Sequence, residues 1–151
     1  MNRRRHILLA EDDENDVALT TLALRRGGLR HEIVVVRDGV EVMEHFGIHP
    51  HGGKGEAMAG EMPGVLLLDL RMPRLDGLEV LERLRAQPRT RNLPVVMLTS
   101  SRQEQDLLRS YDLRVNAFVV KPVEYDDFLR AVGETGLFWC TVNEPPPEPG
   151  R

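Results

Sequence analysis

The sequence is poor in several things, and each scarcity removes a class of protein. It has one cysteine, Cys140, so no disulfide can form within the chain, and a cytoplasmic, reducing location is expected. No apolar run approaches the roughly 20 residues of a membrane-spanning helix. Near the start, Arg3, Arg4 and Arg5 lead into a short apolar run, Ile7 to Ala10, and then into acids. That run is too short for a secretory signal core. Basic charge is not in excess: 24 acids against 20 bases leave a net charge of −4. Nothing here argues electrostatically for nucleic acid as the main partner. No internal repeat occurs. The stretch His51-Gly52-Gly53-Lys54-Gly55 lacks the spacing of a phosphate-binding Walker loop and follows no strand.

What is present is an alternation. The 151 residues suit one domain with one core. Five short apolar runs, beginning at Ile7, Ile33, Val65, Val95 and Ala117, are apolar at consecutive positions, as strands covered on both faces should be. Helical patterns lie between them, which predicts βα units around a parallel sheet. Glu14 to Arg26 is expected to turn Val17, Ala18, Leu22 and Leu24 inward and to stop at Gly27-Gly28. Gly39 to Phe46 repeats Val42, Met43 and Phe46. Gly77 to Ala86 repeats Leu78, Leu81 and Leu84, with Asp76 and Glu79 spaced as a capping box. Shorter patterns cover Gln103 to Tyr111 and Tyr125 to Glu134, the latter offering Phe128, Leu129 and Val132. Residues 49–63, rich in glycine and aperiodic, read as a long exposed loop within a domain spanning 1–136. Residues 137–144 form an apolar extension and 145–151 a proline-rich flexible tail.

The chemistry gathers where the strands stop. The first runs into Glu11-Asp12-Asp13, the third into Asp69, the fourth into Thr99-Ser100-Ser101 and the fifth into Lys121-Pro122. In open α/β sheets, sites form outside the carboxyl ends of the strands. Carboxylates crowded there need a cation, and an oxygen-rich donor set suits Mg²⁺. A carboxylate beside such a metal can attack phosphorus and become an acyl phosphate. A lysine ammonium and a hydroxyl, such as Lys121 and Thr99, can stabilise the transferred group's oxygens. Asp13, followed by Asp16, suits a helix cap better than a metal ligand.

The segments ILLAEDD, VLLLDLRMPRLDGLEVL, PVVMLTSS and AFVVKPV occur in the order seen in the response-regulator receiver family, which the chain resembles over roughly residues 6 to 135. The resemblance implies a flavodoxin-like (βα)5 fold with a five-stranded parallel sheet in the order 2-1-3-4-5. It implies Asp69 as phosphoacceptor. Asp12 would be a direct ligand of Mg²⁺, Glu11 would act through water, and Asp69 and the Arg71 backbone carbonyl would complete the protein's share. Thr99 becomes the switch hydroxyl, Lys121 the phosphate-binding lysine and Phe118 the aromatic that reports the switch. The Lys121-Pro122 peptide matches one that is often cis in the family. The loop before the third strand and the tail GLFWCTVNEPPP resemble single-domain regulators paired with bacterial phytochromes. A light-regulated sensor histidine kinase would then be the partner, and homodimers would be common.

Bland readings compete with these. Arg71, two residues after Asp69, would either overhang the phosphate or point to solvent, and Ser101 stands at the matching place across the pocket. His6, His31, His45, His49 and His51 read better as ordinary polar residues than as metal ligands. Phe138 and Trp139 have little core left to fill, so a dimer interface is expected of them. Two other functions compete with the receiver reading. A Mg²⁺-dependent phosphohydrolase of the haloacid-dehalogenase type would want an acid where Arg71 stands. A degenerate receiver serving only protein contacts would not need the full acidic set. The expected reading is a stand-alone phosphorylation switch that changes the surface of the fourth and fifth helices and fifth strand. The roughly 17 residues after Glu134 are too few for a helix-turn-helix DNA-binding domain.

Overall fold

The computed structural model describes residues 5–49, 62–99, 103–121 and 125–137. Five strands, β1 (Ile7–Ala10), β2 (Ile33–Val36), β3 (Val65–Asp69), β4 (Val95–Thr99) and β5 (Ala117–Val120), alternate with five helices. These are α1 (Glu14–Arg26), α2 (Gly39–His45), α3 (Gly77–Ala86), α4 (Glu104–Asp112) and α5 (Tyr125–Leu137). All strand pairs are parallel, and the sheet order is β2-β1-β3-β4-β5. The flavodoxin-like arrangement expected from the sequence is the one present.

Consecutive apolar residues make sense in this sheet because alternate side chains enter different cores. Leu8, Ala10, Leu66, Leu68, Val95 and Met97 pack with Val42 and Met43 of α2 and with Val80, Leu81 and Leu84 of α3. Ile7, Leu9, Val65, Leu67, Val96 and Leu98 pack on the other face with Ala23 and Leu24 of α1 and with Leu129 and Val132 of α5. The central strands β1, β3 and β4 are buried throughout. The edge strands β2 and β5 are mostly half-buried, because each has a neighbour on one side only.

One expected stripe was misphased. Leu22 is exposed, as is Ala18, while Thr20, Ala23 and Leu24 are buried. The inward face of α1 follows 17, 20, 24 with 23, the i, i+3, i+7 spacing of one helix side, and Thr20 takes a buried place on it. Helix ends follow the local chemistry. Asp76 and Glu79 form the expected capping box on α3. Gly28, at φ 91°, takes the left-handed turn that ends the α1 region. Helix α5 runs past the expected end at Glu134 to Leu137. Gly27 and Gly133 let α1 and α5 approach closely: a Cβ on Gly27 would lie 2.9 Å from the Gly133 Cα.

Candidate functional site

The register of the sheet puts the strand ends side by side. Asp69 closes β3 and Thr99 closes β4. Thr99 pairs with Val120, and the backbone N–H of Lys121 donates to the Thr99 carbonyl at 2.6 Å. Glu11 follows β1, and its N–H donates to the Val36 carbonyl at 3.0 Å. Four strands thereby deliver Glu11, Asp69, Thr99 and Lys121 to one end of the sheet. The N-terminus of α3 presses against this end: Gly77 donates to the Leu70 carbonyl at 2.8 Å, and any Cβ there would run into the Asp69 carbonyl oxygen. Glycine is therefore required at that position.

Glu11, Asp12 and Asp69 each offer a carboxylate oxygen, all within 4.8 Å of one another. Glu11 and Asp69 are buried, at 2% and 6% exposure, while Asp12 is exposed. Asp13 is spent on the helix: its side chain accepts from the Asn15 and Asp16 N–H groups at 2.9 and 3.0 Å. Its exclusion from the acidic set agrees with that geometry. The Asp13 N–H in turn donates to Glu11 Oε1 at 3.1 Å, which orients Glu11.

Lys121 spans the pocket. Its ammonium donates to Glu11 Oε2 and to Asp16 Oδ2, both at 2.8 Å, and stands 3.6 Å from Asp69 Oδ1. Asp16 was missed as part of this site. Read along the chain it is the companion of a capping Asp13, and the only hint was a second acid one helical turn after the acidic pair.

The electrostatics match the crowding. Burial pushes the Asp69 carboxyl up to about 7; Lys121 opposes this, and Glu11 adds to it by repulsion and by a hydrogen bond. Burial alone would lower Lys121, but the hydrogen bonds it donates to Asp16 and Glu11 and the charges of Asp69 and Glu11 outweigh it and hold the ammonium protonated. Among the described residues, the Lys121 ammonium meets Glu11, Asp16 and Asp69, with Asp12 beside them, so negative charge is left uncompensated. The all-oxygen donor set of Glu11, Asp12 and Asp69, with Asp69 paying for burial, fits a hard divalent cation.

Arg71 does not hang over Asp69. Its side chain, 64% exposed, reaches Asp106 of α4 at 3.4 Å, while its backbone N–H bonds Asp69. Phe118 is half-buried on β5 and packs against the core beneath α2 and α3. Thr99 is fully buried. Ser101, Pro122, Phe138 and Trp139, and nearly all of the 49–63 loop, lie outside the described residues, so the expectations for them rest on sequence. Among the histidines, His6 and His45 meet at the opposite end of β1, Nε2 to Nε2 at 3.2 Å, well away from the acidic pocket.

A doubly wound sheet with an acidic cluster, a hydroxyl and a lysine at its carboxyl end defines a receiver-type phosphorylation domain. The family model of the response regulator receiver domain matches residues 7–133, and the chain belongs to that family. Response regulator Rcp1 of Synechocystis sp. is 35% identical over 140 residues, covering 92% of each chain. Its Mn²⁺-bound crystal structure superposes with a TM-score of 0.79 at 31% identity, covering 95% of this chain and 99% of that one. The phosphorylated cyanobacterial phytochrome response regulator RcpA gives a TM-score of 0.83 at 34% identity, over 96% of this chain and 100% of that one. The bacteriophytochrome response regulator AtBRR is 48% identical, with a TM-score of 0.70, over 94% of this chain and 99% of that one. The chain is thus a receiver-type response regulator related to phytochrome response regulators.

Proposed function

We propose that the chain is a phosphoacceptor switch whose Asp69 takes a phosphoryl group from a sensor histidine kinase. The observation that carries this reading is the meeting of the Glu11, Asp12 and Asp69 carboxylates with the Lys121 ammonium at the strand ends. An Asp69 carboxylate oxygen forms the new bond to phosphorus as the bond from phosphorus to the donor imidazole nitrogen breaks, leaving an aspartyl phosphate and a histidine. Asp12, Asp69 and the Arg71 carbonyl would hold Mg²⁺, with Glu11 acting through water. Bound there, Mg²⁺ would neutralise charge on the phosphoryl oxygens. Lys121 and Thr99 take the remaining phosphoryl oxygens. Thr99 moves toward the phosphoryl group and Phe118 follows, which alters the face formed by α4, β5 and α5. The chain turns over only its own phosphoryl group.

The partner in this reading is a phytochrome-type kinase, by likeness to RcpA, Rcp1 and AtBRR. The switch works in the cytoplasm; no helix among the described residues is long and apolar enough to cross a membrane. The receiver occupies residues 1–136, followed by an extension at 137–144 and a tail at 145–151. Phe138 and Trp139 of that extension support a homodimer.

Incubation with acetyl phosphate and Mg²⁺ is expected to add one acid-stable, base-labile phosphoryl group, seen as a mass increase. An Asp69→Asn variant should gain none, and equal labelling of that variant would remove Asp69 from the reaction. A phytochrome kinase labelled on its histidine should pass its phosphate to the wild-type chain. The dimer is checked by light scattering: Trp139→Ala should shift the mass toward the monomer, and an unchanged dimer mass would exclude that interface.

A further inference from the structure

Among the described residues, Asp16 is the carboxylate at the pocket that the chemistry above leaves without a task. It sits in the first turn of α1, where its N–H is held by Asp13. Its side chain could have served only the positive end of the helix dipole. Instead it accepts from Lys121 at 2.8 Å. An ammonium has three donors. Two are committed, to Glu11 and Asp16, while Asp69 stands at 3.6 Å, beyond hydrogen-bond range. The lysine side chain is only 15% exposed, so little water competes for it. Lys121 is therefore drawn toward α1 when Asp69 carries no phosphoryl group.

We propose that Asp16 is a positioning residue that holds Lys121 away from Asp69, so that an incoming phosphoryl oxygen must take Lys121 from Asp16, and that this competition limits the rate of phosphorylation. The inference rests on the reading of Lys121 as the phosphoryl-binding lysine. The hydrogen bond from Lys121 to Asp16 stabilises the unphosphorylated state. It is weakened in the transition state and in the product, where the phosphoryl oxygens claim the same ammonium. An interaction stronger in the ground state than in the transition state slows the reaction. Glu11 accepts from Lys121 at the same 2.8 Å, but its carboxylate lies in the cluster with Asp12 and Asp69, so that bond keeps Lys121 at the pocket, whereas the bond to Asp16 draws it toward α1.

The test compares wild type, Asp16→Asn and Asp16→Glu, each with Lys121 and with Lys121→Ala, using acetyl phosphate and Mg²⁺ and reading acyl phosphate by intact mass. Asp16→Asn is expected to be phosphorylated roughly threefold to tenfold faster, in the lower part of the range that couplings between contacting charged groups produce. Asp16→Glu, which keeps the charge and can reach Lys121, should return the rate toward wild type. In the Lys121→Ala background the acceleration should vanish. That background separates the tether from the loss of a negative charge, which would favour an anionic donor whether or not Lys121 is present. A helix-stability role for Asp16 would lower the melting temperature without a rate that depends on Lys121. An Asp16→Asn rate equal to or below wild type would overturn the proposal, as would an acceleration that persists without Lys121. Labelling that survives Asp69→Asn would instead overturn the phosphoacceptor reading itself, so the two failures are distinguishable.

Discussion

Asp69 carries a cost that its neighbours only partly offset. A buried carboxylate held up to about 7 is stabilised in its protonated form by the fold, whereas the unfolded chain releases that proton near 3.8. Between those values the folded state binds more protons, so this group's contribution to stability declines as pH rises from about 4 to 7 and stays low above. Asp69→Asn removes the charge without changing the shape. In metal-free buffer at pH 8 the variant should be more stable than wild type by roughly 2 kcal/mol or more. The difference should shrink toward pH 4, and urea midpoints across that range check it. Asp69 was legible in the sequence as an acid closing an apolar strand. The role of Asp16 was not, because its partner Lys121 is 105 positions away and no local pattern ties a helix's first turn to the end of a distant strand.

Among elements, the sheet was legible because its rules are local. A strand covered on both faces reads as a continuous apolar run, and a capping box is set by residues three apart. The misphased face of α1 shows where locality ends. Thr20 is buried and Leu22 exposed because the contact with α5, through Gly27 and Gly133, selects which side of the helix turns inward. Arg85 is a second case. Written as an ordinary basic residue in the last turn of α3, it donates to the carbonyls of Thr90, Arg91, Leu93, Leu113 and Arg114. Those bonds tie the loop after α3 to the loop after α4. Burial, reinforced by Arg114 nearby, pulls the guanidinium down to about 10, which leaves it charged at neutral pH. Arg85→Met should cost about 2–3 kcal/mol by leaving several part-buried carbonyls without a donor, read as a lower urea midpoint at pH 7. Arg85→Lys should recover only part, since one ammonium cannot span the planar fork of contacts.

The scale of the whole molecule is where charge becomes a device. A net charge of −4 says little, but the fold gathers several of the acids at one end of the sheet. Ion pairs stitch the surrounding loops: Arg37 to Glu14 at 2.6 Å, Arg74 to Asp38 at 2.8 Å and Arg71 to Asp106 at 3.4 Å. A cation that enters this pole should stabilise the entire domain, because it binds the folded arrangement of carboxylates and not the unfolded chain. Adding Mg²⁺ well above its dissociation constant at pH 8 should raise stability by about 1–3 kcal/mol, seen as a higher melting temperature. Chelation should reverse the gain, and Asp12→Asn should reduce it. By itself the sequence determined the order of strands and helices, the acid, hydroxyl and lysine at the strand ends, and the likeness to receiver domains, because each is written in short contiguous runs. Only the tertiary structure decided that Asp16 shares Lys121 with Glu11, that Arg71 turns to Asp106, and that His6 meets His45. Each of these contacts joins residues brought together by strand order and helix packing, and the spacing of residues along a chain holds no record of which side chains will compete for one ammonium.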